Sequence, residues 1–418
     1  SRDKNWEQRA QQALRLHPHG VARHIQQDWN EPPYYIRDEK GRVQRWDFYG
    51  GSINGIREKL DYLQGMGITI LYLNPIFEAA SNHRYDTGNY LQIDPLLGDL
   101  QDFTLLCKEA QDRGISIILD GVFNHSGCDS LYFNKYNNYD SVGAYQSKDS
   151  VYRDWYKFDK KTGEYQSWWG VDDLPDIDEH SQTYRDYMFG KDGVVRSWLR
   201  AGARGWRLDV ADELPDDFIK ELRRAALAER SDALILGEVW EDASNKISYG
   251  KLRQYFLGDE LDAVMNYNLR EALLGYVRGD MSASVLRERM ESMHENYPPD
   301  AFVEAFNLLG THDTARILTL LGAPDPHNMD GQHGSYRLSE SERGLAKGRL
   351  WLATLVQMLL PGVPCIYYGD EAGLEGTTDP FNRAAFPWGH EDTDCQAIIR
   401  NALTLRKTLP LSEADHFF

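Results

Sequence analysis

The stretch Gly205-Trp206-Arg207-Leu208-Asp209 decides how this chain is interpreted. It is predicted to be a short strand, because residues 198–202 before it have the pattern of a helix that ends at a glycine. Side chains alternate between the two faces of a strand, so Arg207 and Asp209 are expected to point the same way. Taken alone, the pair is explained equally well as a structural ion pair at a strand end.

Two further carboxylates follow predicted strands later in the chain. Glu238 ends the apolar run of residues 233–237, and Asp313 follows the run that ends at Leu309. Carboxylates at the ends of successive parallel strands meet at one mouth of an α/β barrel, where such barrels place their chemistry. The sequence therefore predicts the α/β class and a TIM (β/α)8 barrel with its site at that mouth.

Apolar runs alternate with helical patterns along most of the chain. Seven strands are predicted, starting near residues 68, 115, 205, 233, 263, 302 and 363. A closed barrel has eight. Residues 21–25 are too polar for a buried strand, so the first strand is expected to be missing from this chain and to lie upstream. The alternative is an atypical strand within residues 1–47. A helix is predicted near residues 249–256.

The spacing of the strands also predicts an insertion. Too many residues separate Asp120 from Asp209 for one βα unit, which needs about 30. The excess is rich in Tyr, Asp, Asn, Ser and Trp, and long irregular insertions of this kind usually carry function. Three parts are expected: residues 1–124 as the first part of the barrel, 125–178 as an inserted domain B, and 179–418 as the rest of the catalytic barrel. A C-terminal β-sandwich is expected to be absent.

Composition limits the partners. The net charge is −19, from 65 acidic and 46 basic residues, which argues against nucleic acid or an anionic membrane and is compatible with an uncharged substrate. The chain has no run of about 18 apolar residues, so no membrane span is predicted. The cysteines are scattered without a CxxC pair, which predicts free thiols, no metal site of that kind and a cytoplasmic location.

The residues at the strand ends favour one chemistry. Two carboxylates facing each other across a bond are the minimum for glycoside hydrolysis. Arg207 would keep Asp209 ionised as the nucleophile, whereas Glu238 has no cation near it in sequence and is the better general acid and base. Asp313 would grip sugar hydroxyls as charge develops on the ring. For Asp120, capping a helix or bracing a loop is an equally good interpretation.

Four motifs together resemble the α-amylase superfamily of glycoside hydrolases, family 13. They are Asp120-Gly121-Val122-Phe123-Asn124-His125, Gly205-Trp206-Arg207-Leu208-Asp209, Gly237-Glu238-Val239-Trp240 and Gly310-Thr311-His312-Asp313. The resemblance implies retention of anomeric configuration through a covalent intermediate on Asp209. Glu238 would be the acid/base and Asp313 the transition-state stabiliser. It further implies that Tyr85 stacks on the sugar being cleaved, that His125 and His312 hold its hydroxyls, that Arg207 orients Asp209, and that Asp120 braces the site.

A finer resemblance is to the cyclomaltodextrinase, neopullulanase and maltogenic amylase branch. It is carried by Phe48-Tyr49-Gly50-Gly51, Ser81-Asn82-His83-Arg84-Tyr85-Asp86-Thr87, Ser167-Trp168-Trp169-Gly170 and Asp379-Pro380-Phe381-Asn382-Arg383. It implies donor-side sugar contacts from Asp379 and Arg383 and acceptor-side contacts from Val210, Glu213 and Trp240. Core packing is the alternative for Trp240. A homodimer of the full-length protein is also implied.

Two departures from that branch shape the expectations. Leu174-Pro175-Asp176-Ile177-Asp178 stands where the branch usually has Met-Pro-Lys-Leu-Asn, which affects the choice between cyclic, branched and linear substrates. Ser52 stands where many relatives carry a calcium-binding aspartate, so no required cofactor is predicted and a structural calcium ion is not favoured.

The expected activity is hydrolysis of α-1,4-glucosidic bonds in maltodextrins or cyclodextrins, with an α-glucan oligosaccharide as the partner. The alternatives are an exo-acting α-glucosidase, an oligo-1,6-glucosidase, and a non-catalytic carbohydrate-binding barrel, because a fold alone does not prove activity.

Overall fold

The computed structural model describes residues 1–325 and 336–409. The chain divides into two compact units. The first comprises Ser1–Gln27, Ile36–Glu238 and Ser248–Leu261, and the second comprises Asp28–Tyr35, Val239–Ile247 and Asp262–Phe418.

Helices and strands alternate in the first unit as the sequence predicts. Its helices are α1 (Trp6–Ala13), α2 (Ile53–Arg57), α3 (Leu60–Met66), α4 (Leu100–Gln111), α5 (Gln182–Phe189), α6 (Val194–Arg200) and α7 (Asp216–Glu229). The strands along this part of the chain are β1 (Ala22–Ile25), β2 (Ile36–Arg37), β3 (Val43–Phe48), β4 (Ile70–Leu73), β5 (Phe77–Ala79), β6 (Thr87–Ile93), β7 (Ser116–Gly121), β8 (Gly205–Leu208), β9 (Leu234–Val239), β10 (Ile247–Ser248) and β11 (Lys251–Leu252).

Four of these strands form a parallel set that carries the site. β4 pairs with β7, β7 with β8, and β8 with β9, all parallel. Their near-continuous apolar sequences fit strands covered on both faces, and every residue of β8 is buried. These four strands confirm the predictions near residues 68, 115, 205 and 233.

The connecting helices follow ordinary capping rules. α4 begins with a reciprocal capping box between Asp99 and Asp102, which satisfies two backbone N–H groups that a helix start leaves unpaired. The chain then turns at Gly114, whose φ of 73° favours glycine, and enters β7. Helix, glycine and strand therefore come in the predicted order.

Residues 22–25 form a short strand in which only Ile25 is buried. β1 lies there and pairs in parallel with β3, in a three-stranded sheet with β2. Its polar residues are accommodated individually. The guanidinium of Arg23 lies 4.5 Å from the ring centroid of Phe48 and donates to the carbonyl of Ala13 at 2.8 Å. The expectation that these residues are too polar for a buried barrel strand is therefore not contradicted, and β1 is not the atypical first barrel strand of the alternative, because it lies in a separate sheet.

The prediction of a helix near residues 249–256 was wrong. The structure has the two-residue strands β10 and β11 instead, joined by Tyr249 and Gly250. Both residues have positive φ, 51° and 74°, as the central positions of a type I′ hairpin turn require. The Tyr249-Gly250 pair therefore indicates a turn rather than a helix.

Residues 125–178 contain little regular structure. They include two short 3-10 turns, Arg153–Trp155 and Trp168–Gly170, and isolated bridges such as Tyr156 with Ile177. Packed aromatic rings take the place of helices and strands: the Phe133 ring lies 4.8 Å from Tyr156 and 4.9 Å from Tyr165. The boundaries of an inserted domain at 125 and 178 remain a prediction.

The second unit has its own parallel strands. These are β12 (Ala263–Asn266), β13 (Phe306–Leu308) and β14 (Val363–Cys365), paired in that order. Its helices are α8 (Tyr267–Arg278), α9 (Ala283–Asn296), α10 (Pro299–Glu304), α11 (Ile317–Gly322), α12 (Glu340–Leu359) and α13 (Thr393–Thr408). The strand predicted from residue 302 starts at Phe306, because Pro299 opens a short helix first.

Two further features bear on the predictions. Cys107, Cys128, Cys365 and Cys395 are all free thiols. Within residues 1–325 and 336–409, no helix is long and apolar enough to cross a membrane.

Candidate active site

One buried guanidinium holds three carboxylates in the first unit. Arg207 Nη1 lies 2.8 Å from Asp120 Oδ1 and 2.9 Å from Asp209 Oδ1, and its Nη2 lies 2.8 Å from Glu238 Oε2. All four side chains are at least nine-tenths buried. Bonds from arginine to carboxylates are charge-assisted and fix geometry as well as charge.

The register of the parallel strands explains this arrangement. Asp120 on β7 lies opposite Arg207 on β8, and Arg207 lies opposite Leu236 on β9. Glu238 is two residues beyond Leu236 and therefore presents its side chain on the same face. Three neighbouring strands thus bring one charged group each to the cluster, and Asp209 follows the end of β8.

The residue after Asp209 has an unusual backbone. Val210 has φ 41° and ψ 62°, a left-handed conformation that a β-branched residue rarely adopts. This conformation lets its N–H donate to Glu238 Oε2 at 2.9 Å. The strained backbone at Val210 therefore fixes the Glu238 carboxylate, as strain at functional sites often does.

Burial and mutual repulsion govern the electrostatics of this cluster. Burial raises the pKa of Asp209 well above its ordinary value, and the charge of Glu238 adds to the rise although Arg207 opposes it. Burial likewise raises the pKa of Asp120. Arg207 opposes both shifts, and three carboxylates share this one cation. Glu238 has no cation near it in sequence, but strand pairing brings it to Arg207.

Two tyrosines brace Asp120. The hydroxyls of Tyr72 and Tyr85 donate to Asp120 Oδ2 at 2.6 and 2.9 Å. Asp120 thus makes contacts with both tyrosines and Arg207, as the bracing role requires. Tyr72 was not among the residues predicted from the sequence. Its hydroxyl within the otherwise apolar strand β4 could have indicated a role in the site.

His125 lies beside these tyrosines. Its Nε2 is 3.1 Å from the carbonyl oxygen of Tyr85, and burial lowers the pKa of the imidazole to about 3, so the ring is neutral near pH 7. Its buried Nδ1 has no hydrogen-bond partner within the described residues. His125 is therefore able to offer a neutral hydrogen-bonding group to an uncharged ligand.

Glu213 holds two aromatic side chains. It accepts a hydrogen bond from Trp169 Nε1 at 3.2 Å on Oε1 and another from the Tyr249 hydroxyl on Oε2. Trp169 stacks on Trp168 with ring centroids 5.2 Å apart, and Trp168 lies 5.2 Å from His125. A continuous series of contacts thus runs from His125 to Tyr249.

In the second unit, four predicted site residues lie together. His312 Nε2 is 3.2 Å from Asp313 Oδ2, and Arg383 Nε is 2.8 Å from Asp379 Oδ1. Arg383 also reaches Asp313, with Nη2 3.8 Å from Oδ1, and donates to the carbonyl of His312 at 3.2 Å. Arg383 therefore joins both aspartates into one group.

Trp240 is the remaining predicted residue of the second unit. Its ring stacks on Tyr267 with centroids 4.0 Å apart, and it is 46% exposed. Core packing therefore does not account for it, because almost half of its surface is open.

Ser52 and Asp3 are bonded to neighbouring groups of the protein. Ser52 Oγ donates to Asp3 Oδ2 at 2.7 Å and accepts from the N–H of Gly55, while the guanidinium of Arg9 lies 2.5 Å from Asp3. An arginine therefore already supplies the positive charge at this carboxylate. Across residues 1–325 and 336–409, no three His, Cys, Asp or Glu side chains are grouped as a metal site.

The cluster of carboxylates at the ends of parallel strands indicates a class of protein. Comparison with known families identifies that class. The model of the alpha-amylase catalytic domain matches residues 19–407. The chain therefore belongs to the α-amylase family, a family of glycosidases, and its predicted fold class, the TIM barrel, is confirmed.

Individual relatives agree with this assignment. An amylopullulanase of Thermoanaerobacter thermohydrosulfuricus is 41% identical over 86% of this chain and 26% of its own length. Neopullulanase 2 of Thermoactinomyces vulgaris is 36% identical over 87% of this chain and 57% of its own length. The solved type III pullulan hydrolase from Thermococcus kodakarensis matches with a TM-score of 0.80 and 31% identity, covering 98% of this chain and 67% of that one. The chain thus spans between a quarter and three fifths of these two curated relatives.

Proposed function

We propose that the chain is a retaining glycoside hydrolase that cleaves α-1,4-glucosidic bonds in maltodextrins or cyclodextrins. The observation that carries the proposal is the placement of Asp209 and Glu238 on the two nitrogens of one buried guanidinium. Carboxyl groups held this way are compatible with the separation of about 5–5.5 Å that retaining enzymes use. Membership of the α-amylase family supports the same reaction class.

The proposed reaction has two steps. In the first, the Asp209 carboxylate attacks the anomeric carbon while Glu238 gives its proton to the leaving glycosidic oxygen. In the second, Glu238 takes a proton from water, and the oxygen of that water attacks the anomeric carbon and releases Asp209. The contact of Arg207 Nη1 with Asp209 at 2.9 Å supports this scheme, because a neighbouring cation favours the ionised form of the attacking carboxylate.

The other predicted residues receive binding roles in this proposal. Asp313 would stabilise the charge that develops on the sugar ring, and His125 and His312 would bind its hydroxyls. Tyr85 would stack on the same ring, with Asp120 and Arg207 as the residues that position it and Asp209. Asp379 and Arg383, which form an ion pair at 2.8 Å, would contact the donor side of the glucan, and Val210, Glu213 and Trp240 the acceptor side.

Cleavage of α-1,6 bonds is a second candidate. It is favoured by the match to an amylopullulanase at 41% identity, since pullulan contains such bonds. The same residues would act, and only the fit of the chain on either side of the bond would differ.

Sugar release from β-cyclodextrin, maltotriose, pullulan and soluble starch distinguishes these candidates. Faster cleavage of β-cyclodextrin than of starch is expected. Glucose from maltotriose alone would instead indicate an exo-acting α-glucosidase, and maltotriose from pullulan would indicate α-1,6 cleavage. A parallel assay after dialysis against EDTA is expected to give unchanged rates, and a tenfold fall would contradict the proposal that no calcium ion is required.

We also propose a cytoplasmic location and a homodimer for the full-length protein. The location is supported by the four free cysteines, since free thiols persist in reducing compartments. Cell fractionation and sedimentation of the full-length protein test the two proposals. Recovery outside the cytoplasm or a monomer at micromolar concentration would contradict them.

A further inference from the structure

Two exposed aromatic rings share an unusual local structure. Trp169 and Tyr249 are 78% and 76% exposed, although large aromatic side chains are normally buried at least in part. Both have positive φ, 50° and 51°, and each is followed by a glycine with positive φ, Gly170 and Gly250. Two segments far apart in sequence therefore each present a ring at the tip of a strained turn.

The same carboxylate fixes both rings. Glu213 accepts from Trp169 Nε1 on one oxygen and from the Tyr249 hydroxyl on the other. The two bonds restrain side chains that would otherwise move freely in solvent. Backbone strain that the surroundings maintain in this way is typical of ligand-binding sites.

Contacts within the first unit connect these rings to the carboxylate cluster. Trp169 stacks on Trp168, which lies against His125. His125 contacts the backbone of Tyr85, whose hydroxyl donates to Asp120. The rings and the cluster are thus joined by a series of contacts within one unit.

The chemistry of this surface suits an uncharged chain of sugar rings. The exposed indole and phenol faces offer flat apolar area with their polar ends already bonded. The carboxylate of Glu213 between them accepts a hydrogen bond from each ring. The net charge of −19 further disfavours anionic ligands.

We infer that Trp169 and Tyr249, positioned by Glu213, form a stacking platform that binds glucosyl units of an α-glucan beyond those at the cleaved bond. This inference rests on the proposed function and deepens it by assigning a subsite. Glu213 then positions the two rings through both of its oxygens, in addition to the acceptor-side contact proposed above, because each oxygen keeps a second lone pair.

Binding measurements on a non-cleaving chain test the platform. In the Glu238→Gln background, the Kd for maltohexaose and for maltotriose is measured by calorimetry, with and without Trp169→Asn or Tyr249→Asn. Asparagine accepts the left-handed backbone, so these variants remove the ring without adding strain. Each is expected to weaken maltohexaose binding by about five- to tenfold, the usual range for one aromatic contact, and to weaken maltotriose binding less.

The control is Trp351→Ala, which removes a 55% exposed tryptophan from α12 and is expected to change neither Kd. A change below twofold for maltohexaose in both ring variants would overturn the platform while leaving the proposed function intact. Equal losses for both sugars would also overturn it, because the rings would then act at the innermost site. Failure of the Glu238→Gln chain to bind either sugar would overturn the proposed function together with the platform.

A second measurement tests the positioning role of Glu213 in the active chain. Glu213→Ala is expected to raise KM for maltohexaose by more than it lowers kcat, and Glu213→Gln, which keeps one acceptor oxygen, is expected to restore part of that loss. A fall in kcat at constant KM, or no difference between the two variants, would contradict positioning through the rings.

Discussion

At the scale of single residues, the site depends on one arginine that contacts three carboxylates. Arg207 contacts Asp120, Asp209 and Glu238 through its two terminal nitrogens. Only the planar guanidinium offers several donors in a fixed fork, whereas lysine is a single point charge. Arginine at this position therefore sets the spacing of the carboxylates.

Replacing Arg207 by lysine is expected to impair catalysis. One ammonium group cannot bond all three carboxylates at their present positions, so kcat/KM is expected to fall by at least about 100-fold. Steady-state kinetics on maltohexaose measure the change, with a thermal melt to confirm folding.

Arg113→Lys is the matched control, because Arg113 makes an ion pair with the exposed Asp61 at 2.7 Å and surface pairs of this kind contribute little. Activity of Arg207→Lys within tenfold of the parent would show that the fork geometry does not matter.

At the scale of elements, the sequence predicted the strands well and their surroundings less well. Buried parallel strands leave near-continuous apolar runs, so β4, β7, β8 and β9 were recognisable. Contacts between residues on different strands were not recognisable. They depend on how the strands pair, and the spacing of residues along the chain does not show this. For this reason the approach of Glu238 to Arg207 and the bond from Tyr72 to Asp120 were missed.

Local turn chemistry was the other source of error. Residues 249–256 have some helical character in sequence, yet Tyr249-Gly250 takes the positive φ values of a hairpin turn. The predicted position of β13 failed for a related reason, since Pro299 opens α10 before the strand. Of the candidate site residues, those at strand ends were predictable from motifs, whereas Trp169 and Tyr249 become notable only when their shared bond to Glu213 is seen.

A buried acid between β11 and β12 gives a stability prediction at this scale. Neither carboxylate oxygen of Glu260 has a hydrogen bond within the described residues, and the nearest ion-pair partner, Lys220 Nζ, is 3.8 Å away. Burial, with a further contribution from Asp216, raises the pKa of Glu260 to about 7. Because this pKa is above that of the unfolded chain, the protonated acid favours folding at low pH, and this contribution is lost as pH rises through about 7.

The Glu260→Gln variant removes that ionisation. Its melting temperature relative to the parent is therefore expected to increase between pH 5 and pH 8.5, where the parent carries a buried charge. The exposed Glu164→Gln serves as the control and is expected to show no such trend. A constant difference between Glu260→Gln and the parent at both pH values would contradict the assignment.

At the scale of the whole molecule, net charge and family are compatible with the proposed uncharged glucan substrate. A chain of net charge −19 disfavours anionic partners, and its family matches over residues 19–407. The proposed aromatic platform, the neutral His125 and the carboxylate cluster are each compatible with such a substrate. The central claim is that Asp209 and Glu238 cleave such a chain with retention of configuration.

The most direct test is proton NMR of the first products formed from maltohexaose by the parent chain and by Asp209→Asn and Glu238→Gln. The account predicts that the α-anomer appears first with the parent, and that both variants lose several orders of magnitude in rate while remaining folded. Initial release of the β-anomer, or substantial activity in either variant, would contradict it.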